Sequence, residues 1–129
     1  MLLSRAAEVA LAVLPRLDPR GPAGPGAGVK ALAGAARGPA PFLAKVLQRL
    51  VRRGLLRSKR GRSGGYVLGR PAAEITVADV VLALERHDEL EFVFPPVAGP
   101  AARLLEPVRS RLFDVMKTTT VADLGKDLS

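Results

Sequence analysis

Two groups of side chains in this sequence could carry chemistry. Lys45, Gln48, Arg49 and Arg52 recur at three- and four-residue intervals, the spacing of one helix face. Arg57, Lys59, Arg60 and Arg62 crowd around Gly61, Gly64 and Gly65 in the stretch RSKRGRSGGYVLGR, which holds no acid. Lysine and arginine only donate hydrogen bonds, and the guanidinium fork matches phosphate oxygens, whereas a glutamine amide both donates and accepts. This set suits a polyanion whose edges are read by hydrogen bonding. It does not suit bond-breaking chemistry. The chain has no cysteine, which removes thiolate nucleophiles, disulfides and cysteine-held metal clusters. His87 is its one histidine, and its place near a helix end reads as solvated rather than metal-binding. No spaced carboxylate pair marks a cleft, and GRSGGY has neither P-loop spacing nor a helix directly after it. An enzyme is not expected, and neither a cofactor nor a metal is.

The distribution of charge says more than its total of +8. Residues 19–73 hold 12 Lys and Arg and no acid, whereas residues 74–129 hold 6 basic and 10 acidic residues. Segregation of this kind predicts a polyanion-binding face rather than evenly spread solubility charge. The 129 residues suffice for about one domain, and aromatic residues make up only 4%, so leucine, valine and alanine must build the core. The opening MLLSRAAEVALAVL has the apolar look of a secretion signal, but Arg5 and Glu8 interrupt it and no cleavage site follows. No apolar run is long enough to span a membrane, so a soluble cytoplasmic protein is expected.

These side chains need elements to position them. Residues 5–14 read as an apolar helix capped by Ser4 and limited by Pro15, and 18–28 read as a mobile proline- and glycine-rich loop. A short, weak helix follows, with Gly34 inside it and Gly38 after it. The clearest helix runs over about 41–53, from Pro41 to Gly54. Leu43, Val46, Leu47, Leu50 and Val51 form its buried stripe, opposite the Lys45–Arg52 face. Strands at 55–59 and 66–70 flank RGRSGG as a hairpin, with Gly64 and Gly65 supplying positive φ. Thr76 with Asp79, and later Thr120 with Asp123, have the spacing of capping boxes. Residues 92–100 form an apolar break. Beyond it Leu104, Leu105, Val108, Leu112, Val115 and Met116 return to helical spacing, with Pro107 either kinking this helix or marking its main start. That stripe exceeds what a small domain needs, so these six residues are assigned to a dimer interface, the other reading being a helix folded back on its own domain. The fold expected is mainly α with a small β-hairpin. Residues 1–85 form a winged helix-turn-helix domain, and 86–129 form a linker and a dimerisation helix.

Residues 42–85, FLAKVLQRLVRRGLLRSKRGRSGGYVLGRPAAEITVADVVLALE, resemble the BadM/IscR-type transcription regulators, the Rrf-two family. The resemblance rests on Phe42-Leu43, Leu50, Gly54-Leu55, Ser58, Arg60-Gly61, Gly64-Gly65-Tyr66, Leu68, Pro71 and Ile75-Thr76 at the family spacing. It extends to the first helix and to TTTVADL, and is weakest over 18–40. It implies a homodimer on double-stranded DNA, with the recognition helix at about 41–53 and the wing at about 55–70. Phosphate contacts would come from Arg49, Arg52, Lys59 and Arg62, and base-edge contacts from Lys45 and Gln48. Arg60 would enter a minor groove, and Phe42, Ser63, Gly64 and Gly65 complete the implied DNA-binding set. Ala44 replaces an acidic, base-discriminating residue of some members, and Tyr66 is expected to pack under the hairpin rather than stack on a base.

The largest departure lies at 86–103, where many members hold an iron–sulfur cluster on three cysteines and this chain has none. Glu8 matches a carboxylate ligand of some members, but one carboxylate cannot hold a cluster. The expectation is a cluster-free regulator, a repressor on a pseudo-palindromic operator, associated with the bacterial nucleoid. Any signal would come from a small molecule, a partner protein or the DNA. Phe92, Val93 and Phe94 are candidates to line a pocket at the dimer seam, the other reading being ordinary core or interface packing. The alternative is a winged-helix interaction module that has lost sequence-specific DNA binding.

Overall fold

The computed structural model describes residues 3–62, 64–85 and 90–126, without the side chains of Glu91 and Phe92. The described elements are α1 (Arg5–Val13), α2 (Val29–Ala36), α3 (Ala40–Arg52), β1 (Leu56–Lys59), β2 (Gly65–Leu68), α4 (Val77–Glu85), α5 (Leu90–Val93), α6 (Ala102–Thr118) and α7 (Val121–Lys126). A mainly helical chain thus carries one antiparallel hairpin, with Leu56 opposite Leu68 and Lys59 opposite Gly65. This is the winged helix-turn-helix arrangement that the order of sequence patterns predicts.

The helix ends follow the sequence chemistry. Ser4 Oγ accepts from Ala7 N at 3.1 Å and starts α1. Before α4, Thr76 N donates to Asp79 Oδ2 at 2.9 Å while Asp79 N donates to Thr76 Oγ1 at 3.1 Å. Thr120 and Asp123 repeat the same reciprocal pair before α7. Both capping boxes are therefore closed, each satisfying two backbone donors that a helix start leaves orphaned. Pro107 lies inside α6, so that helix begins before the proline rather than at it.

Among the described residues, two clusters hold the chain together. The larger buries Val9, Val13, Leu14, Leu32, Leu43, Val46, Leu47, Leu50, Leu56, Leu68 and Ile75, drawing on α1 to α4 and the hairpin. The smaller joins Ala78 and Val81 of α4 to Leu90, Phe94, Phe113 and Met116. Helix α4 contributes to both, and α7 returns to the first through Val121, whose N–H donates to Ile75 O at 2.8 Å. Residues beyond 85 thus pack on the same core elements as those before.

Residues 18–28 correct the expectation of a mobile loop. Asp18 clamps Arg20 through both carboxylate oxygens, and Ala72 N donates to Pro19 O at 2.9 Å. Ala27 pairs in both directions with Tyr66, with N···O distances of 3.0 and 2.8 Å, which adds a one-residue third strand to the wing. Glycine enables this approach. A Cβ on Gly65 would stand 2.5 Å from Ala27 C, and one on Gly26 would stand 2.7 Å from Gly64 C. Composition alone suggests looseness; here it serves backbone-to-backbone contact.

Candidate nucleic-acid interface

Helix α3 sorts its residues by face. Leu43, Val46, Leu47 and Leu50 are buried, whereas Lys45, Gln48 and Arg52 are exposed. Ala44, Lys45, Gln48, Arg49 and Arg52 line one shallow groove along the outer surface of the helix. The small methyl of Ala44 leaves the floor of that groove open between longer donors. Arg49 and Arg52 also lie in the last turn of α3, where positive charge complements the helix dipole.

Internal partners divide the expected phosphate-binding residues. The Arg49 guanidinium is half-buried and donates to the carbonyl of Leu84, near the end of α4. Lys59 Nζ donates to Gly24 O at 3.0 Å and fastens the wing to the 18–28 segment. Each of these cations thus has a bonding role inside the fold. Arg52, Arg60 and Arg62 are exposed. Phe42 is half-buried and packs on the main core, so its ring is placed to seat the start of α3.

The wing tip differs from expectation in one respect. Positive φ falls on Gly61 (102°) and Gly65 (116°), and Gly64 is required for space instead. A Cβ on Gly64 would come within 2.7 Å of Gly61 O, across a tight turn closed by the 3.0 Å bond from Gly64 N to Gly61 O. Ser63 and His87 lie outside the described residues, as does the side chain of Phe92. Tyr66 is half-buried against the core under the hairpin, as expected.

Arg37 lies outside both groups of sequence candidates, and Arg57, in the basic wing group, was given no specific DNA contact. Arg37 is an exposed non-glycine residue at φ 49°, in the turn between α2 and α3, and its carbonyl accepts from Arg5 Nη2 at 2.8 Å. Its position before Gly38 and Pro39, at a helix boundary, was the available signal. Arg57 is exposed on β1.

The expected dimer residues divide as well. Leu104, Leu105, Val108 and Val115 are exposed, with Leu104 76% and Val108 62% accessible. Leu112 packs partly on the second cluster, and Met116 is buried within it. Met116 therefore belongs to this chain's own core, and the outward stripe is Leu104, Leu105, Val108 and Val115.

A family model described as "Iron-dependent Transcriptional regulator", Rrf2, matches residues 3–127. The Mycobacterium tuberculosis protein named "Putative HTH-type transcriptional regulator Rv1287" is 34% identical over 94 residues, covering 67% of this chain and 58% of the relative. The HTH-type transcriptional regulator IscR of Photorhabdus laumondii is 46% identical over 44 residues, or 34% of this chain and 27% of that protein. This chain spans less than two thirds of the length of those relatives. Among solved structures, CymR of B. subtilis, titled the global cysteine regulator, superposes with a TM-score of 0.78 at 28% identity, covering 98% of this chain and 97% of that one. IscR of T. potens superposes at 0.75 with 25% identity, covering 100% and 89%. The donor set here does not fit an iron–sulfur cluster. Clusters of that kind are held by thiolates, the sequence has no cysteine, and no group of three or more metal-ligating side chains occurs among the described residues.

Proposed function

The chain belongs to the Rrf2 family of transcriptional regulators, and from that membership we propose that it is a homodimeric, cluster-free repressor of a pseudo-palindromic DNA site. The observation that carries the reading is the exposed row Lys45, Gln48 and Arg52 on α3, within a 55-residue stretch free of acids, residues 19–73. Lys45 and Gln48 read base edges in the major groove, because both reach hydrogen-bonding atoms there. Arg52, Arg60 and Arg62 bind phosphates and set the salt dependence, with Arg60 free to enter a narrow minor groove. Two such units related by a two-fold axis meet half-sites about one helical turn apart. The exposed stripe Leu104, Leu105, Val108 and Val115 supports α6 as the dimer contact. Among the described residues no helix is long and apolar enough to cross a membrane, and the nucleoid is the proposed location.

The alternative of an interaction module fits drift in the glycine-rich 18–40 segment and the absence of cysteine. Residues 18–28 of that segment are packed against the wing, which favours the DNA-binding reading. Selection of bound sequences from a random duplex pool, at physiological salt, tests the proposal. The expected result is a two-fold symmetric consensus that Lys45→Ala or Gln48→Ala relaxes, at a cost of about 1–3 kcal/mol for the base pair each contacts. Uniform weak binding to every sequence would overturn it.

A further inference from the structure

The smaller core is bordered by a cleft between the segment after α5 and the first turns of α6. Val93, Phe94, Pro95, Val97, Leu105 and Val108 line it, together with Arg109. Its volume is about 440 Å³, within the range of roughly 300–1,000 Å³ that small-molecule sites occupy. Among the described residues, six of the seven that line it are apolar. The seventh is charged and almost out of water, since the Arg109 side chain is only 10% exposed.

The way Arg109 is held defines what it can bind. Its Nε donates to Phe94 O at 2.6 Å, and its guanidinium lies 4.7 Å from the centre of the Phe113 ring. One more bond runs from Nη1 to Glu106 Oε1 at 2.9 Å, and Nη2 makes none among the described residues. The backbone bond and the ring fix the plane of the guanidinium, leaving one terminal nitrogen open. Glu106 is 50% exposed and sits one helical turn away, so its carboxylate can swing into solvent. Arg109 thus already pairs with a carboxylate oxygen, held by a group that can leave.

We propose that this cleft binds a small apolar carboxylate, its hydrocarbon body on Val93, Val97, Leu105 and Val108 and its carboxylate on Arg109 in place of Glu106. Charge selects the class. A neutral apolar molecule leaves the open guanidinium nitrogen without an acceptor, whereas an anion completes it in a poorly solvated setting where such a bond is strong. Leu105 and Val108 also belong to the exposed stripe of α6, so the bound molecule lies at the edge of the proposed dimer contact. The binding itself does not rest on the DNA-binding reading, and it is measured without DNA.

The test is titration of the full chain with octanoate and, separately, with octanamide, followed by calorimetry or by amide chemical shifts. Octanoate is expected to bind saturably and roughly ten-fold more tightly than octanamide, the effect of one charge-assisted hydrogen bond. Glu106→Gln removes the internal competitor and is expected to tighten octanoate several-fold while leaving octanamide unchanged. Val97→Glu, on an exposed loop position, places a like charge at the cleft and is expected to weaken octanoate. Because Arg109→Gln also removes a support of the core, the Glu106 and Val97 variants carry the test. Equal affinity for the two probes, no saturation, or weaker octanoate binding by Glu106→Gln would each overturn the proposal.

Discussion

Arg49, on the outward side of α3, donates a hydrogen bond from Nη2 to the backbone carbonyl of Leu84, one residue before the end of α4. The bond ties the helix proposed to read DNA to the helix that leads into residues 86–100. A cation at that end is favoured by the helix dipole as well.

Arg49 and Arg52 should therefore differ although both are arginines on one helix face. Arg49→Ala is expected to destabilise the fold by about 1.5–3 kcal/mol, the range for a hydrogen bond to a charged group. Arg52→Ala is expected to leave the urea midpoint nearly unchanged and to lower the salt slope of DNA binding by about one. Denaturation curves and salt-dependent gel shifts on the two variants separate these roles. A stable Arg49→Ala protein would contradict the assignment.

Two glycines should respond in opposite directions to alanine. Gly34 lies within α2 with no atom within 4 Å of an added Cβ, so Gly34→Ala is expected to stabilise by up to about 1 kcal/mol. Gly65 has φ 116°, and a Cβ there would stand 2.5 Å from Ala27 C, so Gly65→Ala must force the 18–28 segment away from the wing. Urea melts give the first effect, and loss of amide protection at Ala27 and Tyr66 gives the second.

The stripe on α6 and the residue beneath it are separable by substitution. Leu104→Glu and Val108→Glu change side chains that are largely in water, so the monomer should remain folded while the sedimenting species halves in mass. Met116→Ala empties buried volume and is expected to cost about 2–5 kcal/mol without changing subunit contacts directly. Analytical ultracentrifugation beside thermal melts distinguishes the two outcomes.

Acid should loosen the loop that backs the wing. Hydrogen bonds from the side chain and the backbone N–H of Arg20 hold the Asp18 carboxyl at about 2, well below its ordinary value of 3.8. A depressed carboxyl contributes stability above its unfolded value, and that contribution is lost as pH falls from about 4 through about 2. NMR titration of the Asp18 carboxyl should show this midpoint, and Arg20→Gln should move it up towards the ordinary range. An unchanged midpoint in the variant would remove Arg20 as the cause.

Much of this protein was legible from its residue order. The 3.6-residue period of Leu43, Val46, Leu47 and Leu50 defines both the helix and its buried face, because burial of an apolar stripe is a local pattern. The two Thr–Asp pairs announce helix starts for the same reason, since both partners lie within one turn. The cysteine-free sequence offers no thiolate to hold an iron–sulfur cluster, a reading that needs no coordinates. Tertiary structure decided what depends on contacts between distant segments. Arg49 meets Leu84, Lys59 meets Gly24, and Ala27 pairs with Tyr66 across sequence gaps that no periodicity encodes. Met116 and Val115 are neighbours in one apolar stripe, yet only the placement of Phe113 and Leu90 makes one core and leaves the other exposed. Residue type determined which groups could meet a polyanion; the packing of the chain determined which of those groups it had already engaged.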